Sequence, residues 1–311
     1  MTESGPRLVV VDSVVVDVVL EVDALPERGS DTYVRASSTH AGGGFNVLAA
    51  ATRLGLPCVY AGAHGTGPFA TIVAEALQRE RVGVALAPTT ALDTGFVVAL
   101  IDGDGERTFL TSNGAESRLT TEQLHGVALL ESDVIYFSGY VLLHESNAAA
   151  LFDLVQRLPE SVTLLFDPGP LVEDIPDALL TAVLARADWL SCNAREAVLL
   201  SGVENARQAA TTLNLRVSRG GAIVRTGADG CVVATNEGTN VIEGFHVRAL
   251  DSNGAGDCHV GAFAAFTSRG MGYAEAARLA NAAAASSVTR KGPATGPTRE
   301  EFEGFLRAHS F

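Results

Sequence analysis

The stretch "LDSNGAGDCHVGAF", residues 250–263, places Gly254, Ala255 and Gly256 directly before Asp257 and an apolar run. The first backbone N–H groups of a helix have no partner within the helix, and the helix dipole is positive at that end. Small residues let an anion approach those groups closely, so the stretch predicts a phosphate-binding turn that opens a helix. Asp257 is then either the N-cap of this helix or a general base for a hydroxyl that attacks a bound phosphate.

The composition excludes several classes of protein. The 311 residues are 47% hydrophobic and carry a formal net charge of −14, which predicts a globular chain and argues against nucleic acid or an anionic membrane as a partner. The four cysteines form no CxxC pair and predict free thiols in a reducing, cytoplasmic compartment. The N-terminal residues do not resemble a signal peptide, and no uncharged apolar run is long enough to span a membrane.

Short apolar segments rich in β-branched residues alternate with longer helical patterns along the chain. Strands that are apolar throughout and are joined by helices predict a mostly parallel sheet with helices on both faces. In such a sheet, ligands bind beyond the carboxyl ends of the strands. The predicted strands are 7–11, 58–63, 133–139, 163–169, 188–193, 222–227 and 231–235, and the predicted helices include 68–81, 146–158 and 176–187.

Two further segments predict a small separate sheet. Residues 14–23 alternate between apolar and acidic side chains, as in an antiparallel strand with one buried face, and residues 94–112 form two strand-like arms around the turn sequence "DGDGE". We expect these strands to form a lid over the ligand site. Because the apolar face of the first segment needs a cover, we also expect a homodimer that forms through the lids. The residues of that face are Val16, Val18, Leu20 and Val22.

Three other motifs have structural interpretations beside any functional one. The segment "GGGFN", residues 42–46, is either a tight turn capped by Asn46 or a ligand pocket formed by bare backbone. Asn193 and Glu196 in "NAREA" share one face of a helix, which suits either a capping box or the orientation of Mg²⁺ beside a phosphate chain. The segment "RTGADG", residues 225–230, predicts by itself no more than a hairpin turn.

Together and in this order, the motifs resemble those of the ribokinase-like sugar kinases, the PfkB carbohydrate kinase family. "GGGFNVLAAATRLG" resembles the N-terminal signature, "NAREA" the N-x-x-E element, "RTGADG" the nucleotide strand and turn, and "DSNGAGDCHVGAF" the C-terminal signature. The segment "NAAAASSVTRKG", residues 281–292, resembles the wall of the adenine site. The resemblance implies a single ribokinase-like unit over residues 1–311. Its fold would be an α/β three-layer sandwich with a mostly parallel central sheet and a small antiparallel β lid, formed approximately by 13–38 and 93–111.

The resemblance also implies an activity, the ATP-dependent phosphorylation of a primary hydroxyl on a small sugar or sugar acid, with Mg²⁺ and, in some family members, K⁺. Asp257 is the implied catalytic base, and Gly254, Ala255 and Gly256 form the implied anion hole. The other implied positions form three groups. Asp17, Gly43, Gly44, Asn46, Arg107 and Asn113 would bind the sugar; Asn193, Glu196, Thr226, Gly227, Gly230 and Asn281 would bind the nucleotide, Glu196 acting indirectly on Mg²⁺; Asp251, Asn253 and Gly292 would lie near a monovalent cation.

Alternatives stay open at this point. Arg107 is either a substrate contact or a surface residue of the lid, and His259 is expected to pack behind the site. A nucleoside kinase of the same family is the main alternative activity, although the aromatic content of 6% favours a sugar. A non-catalytic sensor would lack Asp257 or the anion hole, and a dehydrogenase would carry a glycine fingerprint after the first strand. Val15 and Gly43 replace sugar-binding residues of ribokinase itself, so ribose is not the expected acceptor.

Overall fold

The computed structural model describes residues 5–309. Within that range the chain forms thirteen strands and ten α-helices. The strands are β1 (Leu8–Val10), β2 (Val14–Val22), β3 (Val34–Gly43), β4 (Cys58–Tyr60), β5 (Gly83–Val84), β6 (Phe96–Ile101), β7 (Arg107–Ser112), β8 (Val134–Ser138), β9 (Thr163–Asp167), β10 (Trp189–Asn193), β11 (Gly221–Arg225), β12 (Gly230–Thr235) and β13 (Gly238–Glu243). The helices are α1 (Gly44–Arg53), α2 (Pro68–Arg79), α3 (Thr121–His125), α4 (Glu145–Arg157), α5 (Asp177–Arg186), α6 (Ala194–Ser201), α7 (Ala206–Asn214), α8 (Ala255–Thr267), α9 (Tyr273–Ser287) and α10 (Arg299–Ala308).

The central sheet has nine strands in the order β13-β12-β11-β10-β9-β8-β1-β4-β5. The strands from β11 to β5 in this order run parallel, and β12 and β13 are added antiparallel at one edge. Every predicted strand and helix segment overlaps an observed element of the same type. The predicted mostly parallel α/β sheet is therefore confirmed.

Two hydrophobic cores lie on opposite faces of this sheet. Along β1, Leu8 and Val10 enter the core that contains α1, α2, α8, α9 and α10, whereas Val9 and Val11 enter the core that contains α3, α4, α5, α6 and α7. Because successive side chains of a strand point to opposite faces, a strand between two cores must be apolar at every position. This arrangement is the predicted three-layer sandwich.

Two edge strands of the central sheet were not predicted. The strand β5 is only two residues long, which is too short to show any periodicity. The strand β13 is mostly exposed and has the sequence "GTNVIE", so it lacks the apolar run that marks the inner strands. The four cysteines are free and buried. None of the helices in the described part of the chain is long and apolar enough to cross a membrane.

The second sheet has four strands in the order β3-β2-β6-β7. The β2–β3 and β6–β7 pairs are antiparallel, but β2 and β6 pair in parallel, so the lid is a mixed sheet. The predicted hairpin at 94–112 is present, with a turn closed by the N–H of Asp102 donating to the carbonyl of Glu106. The first lid segment extends as far as Gly43, beyond the expected limit at residue 38. Each end of the hairpin is held by Glu116, which accepts hydrogen bonds from the N–H groups of Gly95 and Gly114.

The apolar face of β2 is mostly covered within a single chain. Val16 and Val22 are buried, Val18 packs against the core on the α1 and α8 side of the sheet, and Leu20 is half-buried. The body of the same chain therefore covers most of this face, so these residues alone do not require a second lid, and the homodimer stays a prediction. The large apolar side chains that the lid leaves exposed lie elsewhere, and they include Tyr33, Val34, Phe109 and Leu110.

Candidate active site

Polar residues gather where the parallel strands of the central sheet end. Each lies at or just after the carboxyl end of a strand, which is the edge at which α/β sheets bind ligands. The residues are Asp12 after β1, Ser138 in β8, Asp167 in β9, Asn193 in β10 and Arg225 in β11. The N-termini of α1 and α8 meet at the same edge, since Asn46 in α1 contacts Asp257 in α8. The lid strand β2 also reaches this edge, since its Asp17 lies against Gly42.

The helix α8 opens with the predicted small-residue turn. Gly254 is the N-cap, and its φ of 72° lies in a region that glycine adopts readily. No side chain of the described residues caps this end of the helix. Asp257 is therefore not the N-cap, because it lies inside the first turn. A side chain at position 256 would begin 3.4 Å from the guanidinium of Arg225. The first turn of α8 thus lies close to the half-buried guanidinium of Arg225, a combination that suits an anion.

The carboxylate of Asp257 accepts a hydrogen bond of 2.9 Å at Oδ2 from Nδ2 of Asn46, 211 residues away in sequence. Burial raises the pKa of Asp257 to about 6, with a smaller raising effect from Asp167, while Asn46 and Arg225 act to lower it. At neutral pH the group is therefore mostly ionised and still close to its pKa, which is where a general base works well.

The triglycine segment lies between two other carboxylates. A side chain at Gly42 would begin 2.2 Å from Oδ2 of Asp17, and one at Gly44 would begin 2.9 Å from Cβ of Asp12. Gly43 adopts a φ of 63°, and a side chain there would begin 2.4 Å from the carbonyl oxygen of Ser13. Only glycine therefore allows the chain to enter α1 at this point. Burial raises the pKa of Asp17 to about 6, and Asp257 raises it further.

Asn193 and Glu196 form the capping box that the sequence allowed. The side chain of Asn193 accepts from the N–H of Glu196 at 2.9 Å, and Glu196 accepts from the N–H of Asn193 at 2.8 Å and from its amide Nδ2 at 2.7 Å. Burial raises the pKa of Glu196, as does the nearby Asp167. The capping role is thus a structural fact, and the role in orienting Mg²⁺ stays a prediction.

The predicted nucleotide residues after β11 form a hairpin turn. The N–H of Thr226 donates to the carbonyl of Gly230 at 2.8 Å, and Gly227 and Gly230 both have positive φ. The space in front of Gly227 is open. Asn281 is buried, and its amide donates to the carbonyls of Ile242 and Glu243 at 3.2 and 3.1 Å. Those bonds attach α9 to β13, which is a structural use that the sequence did not indicate.

Asp251 forms hydrogen bonds with the other two residues that were predicted to lie near a monovalent cation. Its carboxylate accepts hydrogen bonds from the N–H groups of Asn253 at 2.9 Å and Gly292 at 3.0 Å. It also accepts from Nη2 of Arg107 at 2.6 Å. Burial acts to raise the pKa of Asp251, but these hydrogen bonds outweigh it and lower the pKa. Arg107 is an exposed residue of the lid strand β7, as the second of its two interpretations has it, and its side chain pairs with the loop before α8, 144 residues away.

Sequence reasoning did not single out Asp12 or Arg225. Oδ1 of Asp12 accepts from the N–H of Ser13 at 2.8 Å and from the hydroxyl of Ser138 at 2.9 Å, and burial raises the pKa of Asp12 to about 7. Nη1 of Arg225 donates to Asp167 at 2.8 Å and to the hydroxyl of Ser191 at 2.9 Å. The signal that could have found both residues is their position at a strand end.

Tyr140, His259 and Asn113 differ in their exposure to solvent. Tyr140, in the turn after β8, is 47% exposed, and partial burial and the nearby carboxylates, Asp257 first among them, raise its pKa to about 12. His259 is buried in α8, and burial lowers its pKa to about 3, so it is neutral and lies behind the site. Asn113 is exposed just after β7.

Comparison with known proteins identifies the class. The model of the pfkB family carbohydrate kinases matches residues 6–300. An uncharacterised sugar kinase of Escherichia coli strain K12, YegV, is 32% identical over 306 residues, which cover 97% of this chain and 94% of the relative. An ATP-dependent ribose-1-phosphate kinase of Halopiger xanaduensis is 29% identical, over 93% of this chain and 94% of the relative. The crystal structure of ribokinase from Thermotoga maritima superposes with a TM-score of 0.82 at 25% identity, over 97% and 99% of the two chains.

The fold and the site together define a phosphotransferase with a sugar-kinase architecture. The family match extends over nearly the whole chain. The chain belongs to the pfkB family of carbohydrate kinases, whose activity is the ATP-dependent phosphorylation of sugars.

Proposed function

We propose that this protein transfers the γ-phosphoryl group of ATP to a primary hydroxyl of a small sugar or sugar acid, with Asp257 as the general base. The observation that carries the proposal is the position of Asp257. Its carboxylate lies in the first turn of α8, beside the amides of Gly254 and Gly256, and accepts a hydrogen bond from Asn46 in the helix that follows the triglycine segment. The N–H of Ala255 donates to the carbonyl of Ser252 at 3.3 Å in this structure. A base and an anion site thus occupy adjacent positions.

The proposed reaction is an in-line displacement. Asp17, Asn46 and the backbone of Gly43 and Gly44 hold the acceptor below the lid. The hydroxyl oxygen of the acceptor forms a bond to the γ-phosphorus while the bond from that phosphorus to the β–γ bridging oxygen breaks, and ADP leaves with the electron pair. Asp257 takes the hydroxyl proton, and the amides of 254–256 stabilise the charge on the transferring group.

The nucleotide would lie along the turn after β11. Thr226, Gly227 and Gly230 would contact it, and the open space at Gly227 leaves room for close approach to the backbone. Asn281 keeps only an indirect role in this proposal, because its amide is bonded to β13.

Asn193 and Glu196 suit an Mg²⁺ ion that is coordinated mainly by the phosphate oxygens of the nucleotide. No cluster of three acidic, histidine or cysteine ligands for a metal exists among residues 5–309, and both oxygens of Glu196 accept from Asn193. Mg²⁺ commonly retains several waters and takes few protein ligands, so Glu196 and Asn193 would act through such waters. When bound, Mg²⁺ would neutralise phosphate charge. Asp251, Asn253 and Gly292 lie together, as a K⁺ site would require.

We also propose that the protein is cytoplasmic and forms a homodimer through its lids. The support for the dimer is the open edge of the lid at β7, where Phe109 and Leu110 are each 59% exposed. A second lid would cover these side chains and pair the edge strand. Analytical ultracentrifugation at micromolar concentration tests this: a dimer that the Phe109→Ser variant dissociates is expected, and a monomeric wild type would refute it.

The decisive experiment is a coupled assay of ADP release across pentoses, hexoses, ketoses, alditols, sugar acids and nucleosides. A sugar or sugar acid is expected to stimulate ADP release and to be recovered with phosphate on its primary hydroxyl. Preferential phosphorylation of nucleosides would favour a nucleoside kinase of the same family. Binding of sugar and ATP without any turnover would instead identify a sensor.

A further inference from the structure

The part of the site that would bind the sugar consists mainly of side chains that accept hydrogen bonds. Asp17 in β2, Asp12 after β1 and Asp257 in α8 surround the triglycine segment and the first turn of α1. Asp12 and Asp17 each approach the backbone of this segment closely. Asp257 acts electrostatically on both of the other carboxylates. Three carboxylates of one site therefore lie within range of one another.

The side-chain oxygens in this part of the site that have no hydrogen-bond partner in the described structure can only accept hydrogen bonds. Both hydrogen bonds that the described structure gives Asp12 end on Oδ1, which leaves Oδ2 for a ligand. The bond from Asn46 to Asp257 ends on Oδ2, which leaves Oδ1 of Asp257. Asn46 is only 6% exposed, and its Oδ1 has no partner among residues 5–309. A buried acceptor without a partner costs free energy unless a ligand supplies a donor.

The arginines that approach the site are already engaged. Arg107 donates to Asp251 at the rim, and Arg225 donates to Asp167 and Ser191 on the phosphate side of the site. His40 lies opposite Asp17 in the β2–β3 pair, but it is exposed, and the cavity that it lines contains Arg53 and Arg79 and none of the three carboxylates. A negative group on the acceptor would thus meet carboxylates before it met an unpaired cation.

Resting on the proposed kinase activity, we propose that the pocket selects an uncharged, polyhydroxylated acceptor and rejects sugar acids and sugar phosphates, and that Asp12 is a specificity residue. Hydroxyl groups supply the donors that Asp12, Asp17 and Asn46 need. A carboxylate or phosphate supplies none at neutral pH, and it adds like charge in a partly buried site where repulsion is weakly screened. The proposed function is thereby narrowed from sugars and sugar acids to neutral sugars and polyols.

The test compares matched acceptors in the coupled ADP assay at pH 7.5. Each alditol is paired with the aldonate of the same carbon skeleton, and each aldose is paired with its 1-phosphate, so only the charged group differs. We expect kcat/KM to favour the neutral member of every active pair by at least about 10²-fold, the scale of a like charge beside unpaired acceptors. A charged member that reacts as well as its neutral partner would overturn the inference and leave the kinase function intact.

The variant Asp12→Asn distinguishes a role of Asp12 in acceptor specificity from a general loss of activity. The asparagine amide removes one negative charge and adds a donor, so the preference for the neutral partner is expected to fall by about tenfold or more. The control Asp104→Asn removes the same charge from the exposed lid turn and should leave the preference unchanged. An unchanged preference in Asp12→Asn would remove Asp12 from this role. Absence of ADP release and of calorimetric binding for every compound would reject the kinase proposal and this inference together.

Discussion

Replacing Asp257 with asparagine should separate activity from stability. Nδ2 of Asn46 donates to Oδ2 of Asp257 at 2.9 Å, and it can donate equally to the carbonyl oxygen of an asparagine amide. The local structure should therefore persist while the base is lost. We expect kcat to fall by at least about 10²-fold, the usual scale for loss of a general base, and the KM for ATP to change little.

The same substitution should stabilise the unliganded protein. Burial raises the pKa of Asp257 from 3.8 to about 6, which corresponds to roughly 3 kcal/mol against the ionised form in the folded protein. Because the folded pKa lies above the unfolded value, this group favours folding at low pH, and that contribution is lost as the pH rises through about 6. Since the side chain is partly exposed, we expect a gain of about 1–2 kcal/mol at pH 8. The gain should be roughly half as large at pH 5.

Two measurements check this reasoning. Coupled ADP release gives kcat, and urea unfolding at pH 5 and pH 8 gives the change in the free energy of unfolding. Asp104→Asn serves as the control, because it removes the same charge from an exposed turn. A near-wild-type kcat would exclude Asp257 as the base. A gain that is equal at both pH values, or that the control reproduces, would refute the electrostatic account.

Four further predictions follow from the same geometry. In the wild type, kcat/KM for the acceptor should fall about tenfold per pH unit below a pH of about 6, and a flat profile would contradict protonation of the base. The double variant Arg225→Met/Asp167→Asn removes one positive and one negative charge, so the local charge stays balanced and the protein should fold. Its kcat should fall about 10²-fold, because the cation beside the anion hole is gone. An effect confined to KM would contradict this. Gly42→Ala would place a methyl group 2.2 Å from Asp17 and should raise KM for the acceptor about tenfold or more, with KM for ATP unchanged. Arg107→Met removes the lid contact and should raise ADP release in the absence of acceptor, which high-performance chromatography of nucleotides measures; unchanged hydrolysis would show that the contact does not hold the lid closed.

The local sequence pattern was sufficient to predict most of the secondary structure and the edge of the sheet at which ligands bind. The inner strands are apolar at successive positions because both faces are buried, and this is visible in a window of a few residues. The turn before α8 is equally local: small residues followed by an acid are needed to start a helix at an anion site. The edge strands β5 and β13 lack such a pattern, and they were missed for that reason.

The partners of the site residues could not be predicted in the same way. The bond between Arg107 and Asp251 joins residues 144 positions apart, and the bond between Asn46 and Asp257 joins residues 211 positions apart. Nothing near Arg107 in the chain indicates which acid it meets. The same is true of Asp12, whose burial and neighbours depend on how the first strand packs beside β8.

By itself, then, the amino-acid order determined the alternation of strands and helices, the small-residue turns and the candidate base. Only the tertiary structure decided that most of the apolar face of β2 is covered by its own chain, that Asn281 supports β13, and that Asp12, Asp17 and Asp257 lie around the segment 42–46. The physical reason is the range of the forces involved. Backbone hydrogen bonding and side-chain periodicity act over a few residues, whereas burial and charge depend on segments that are brought together only when the sheet and its lid have formed.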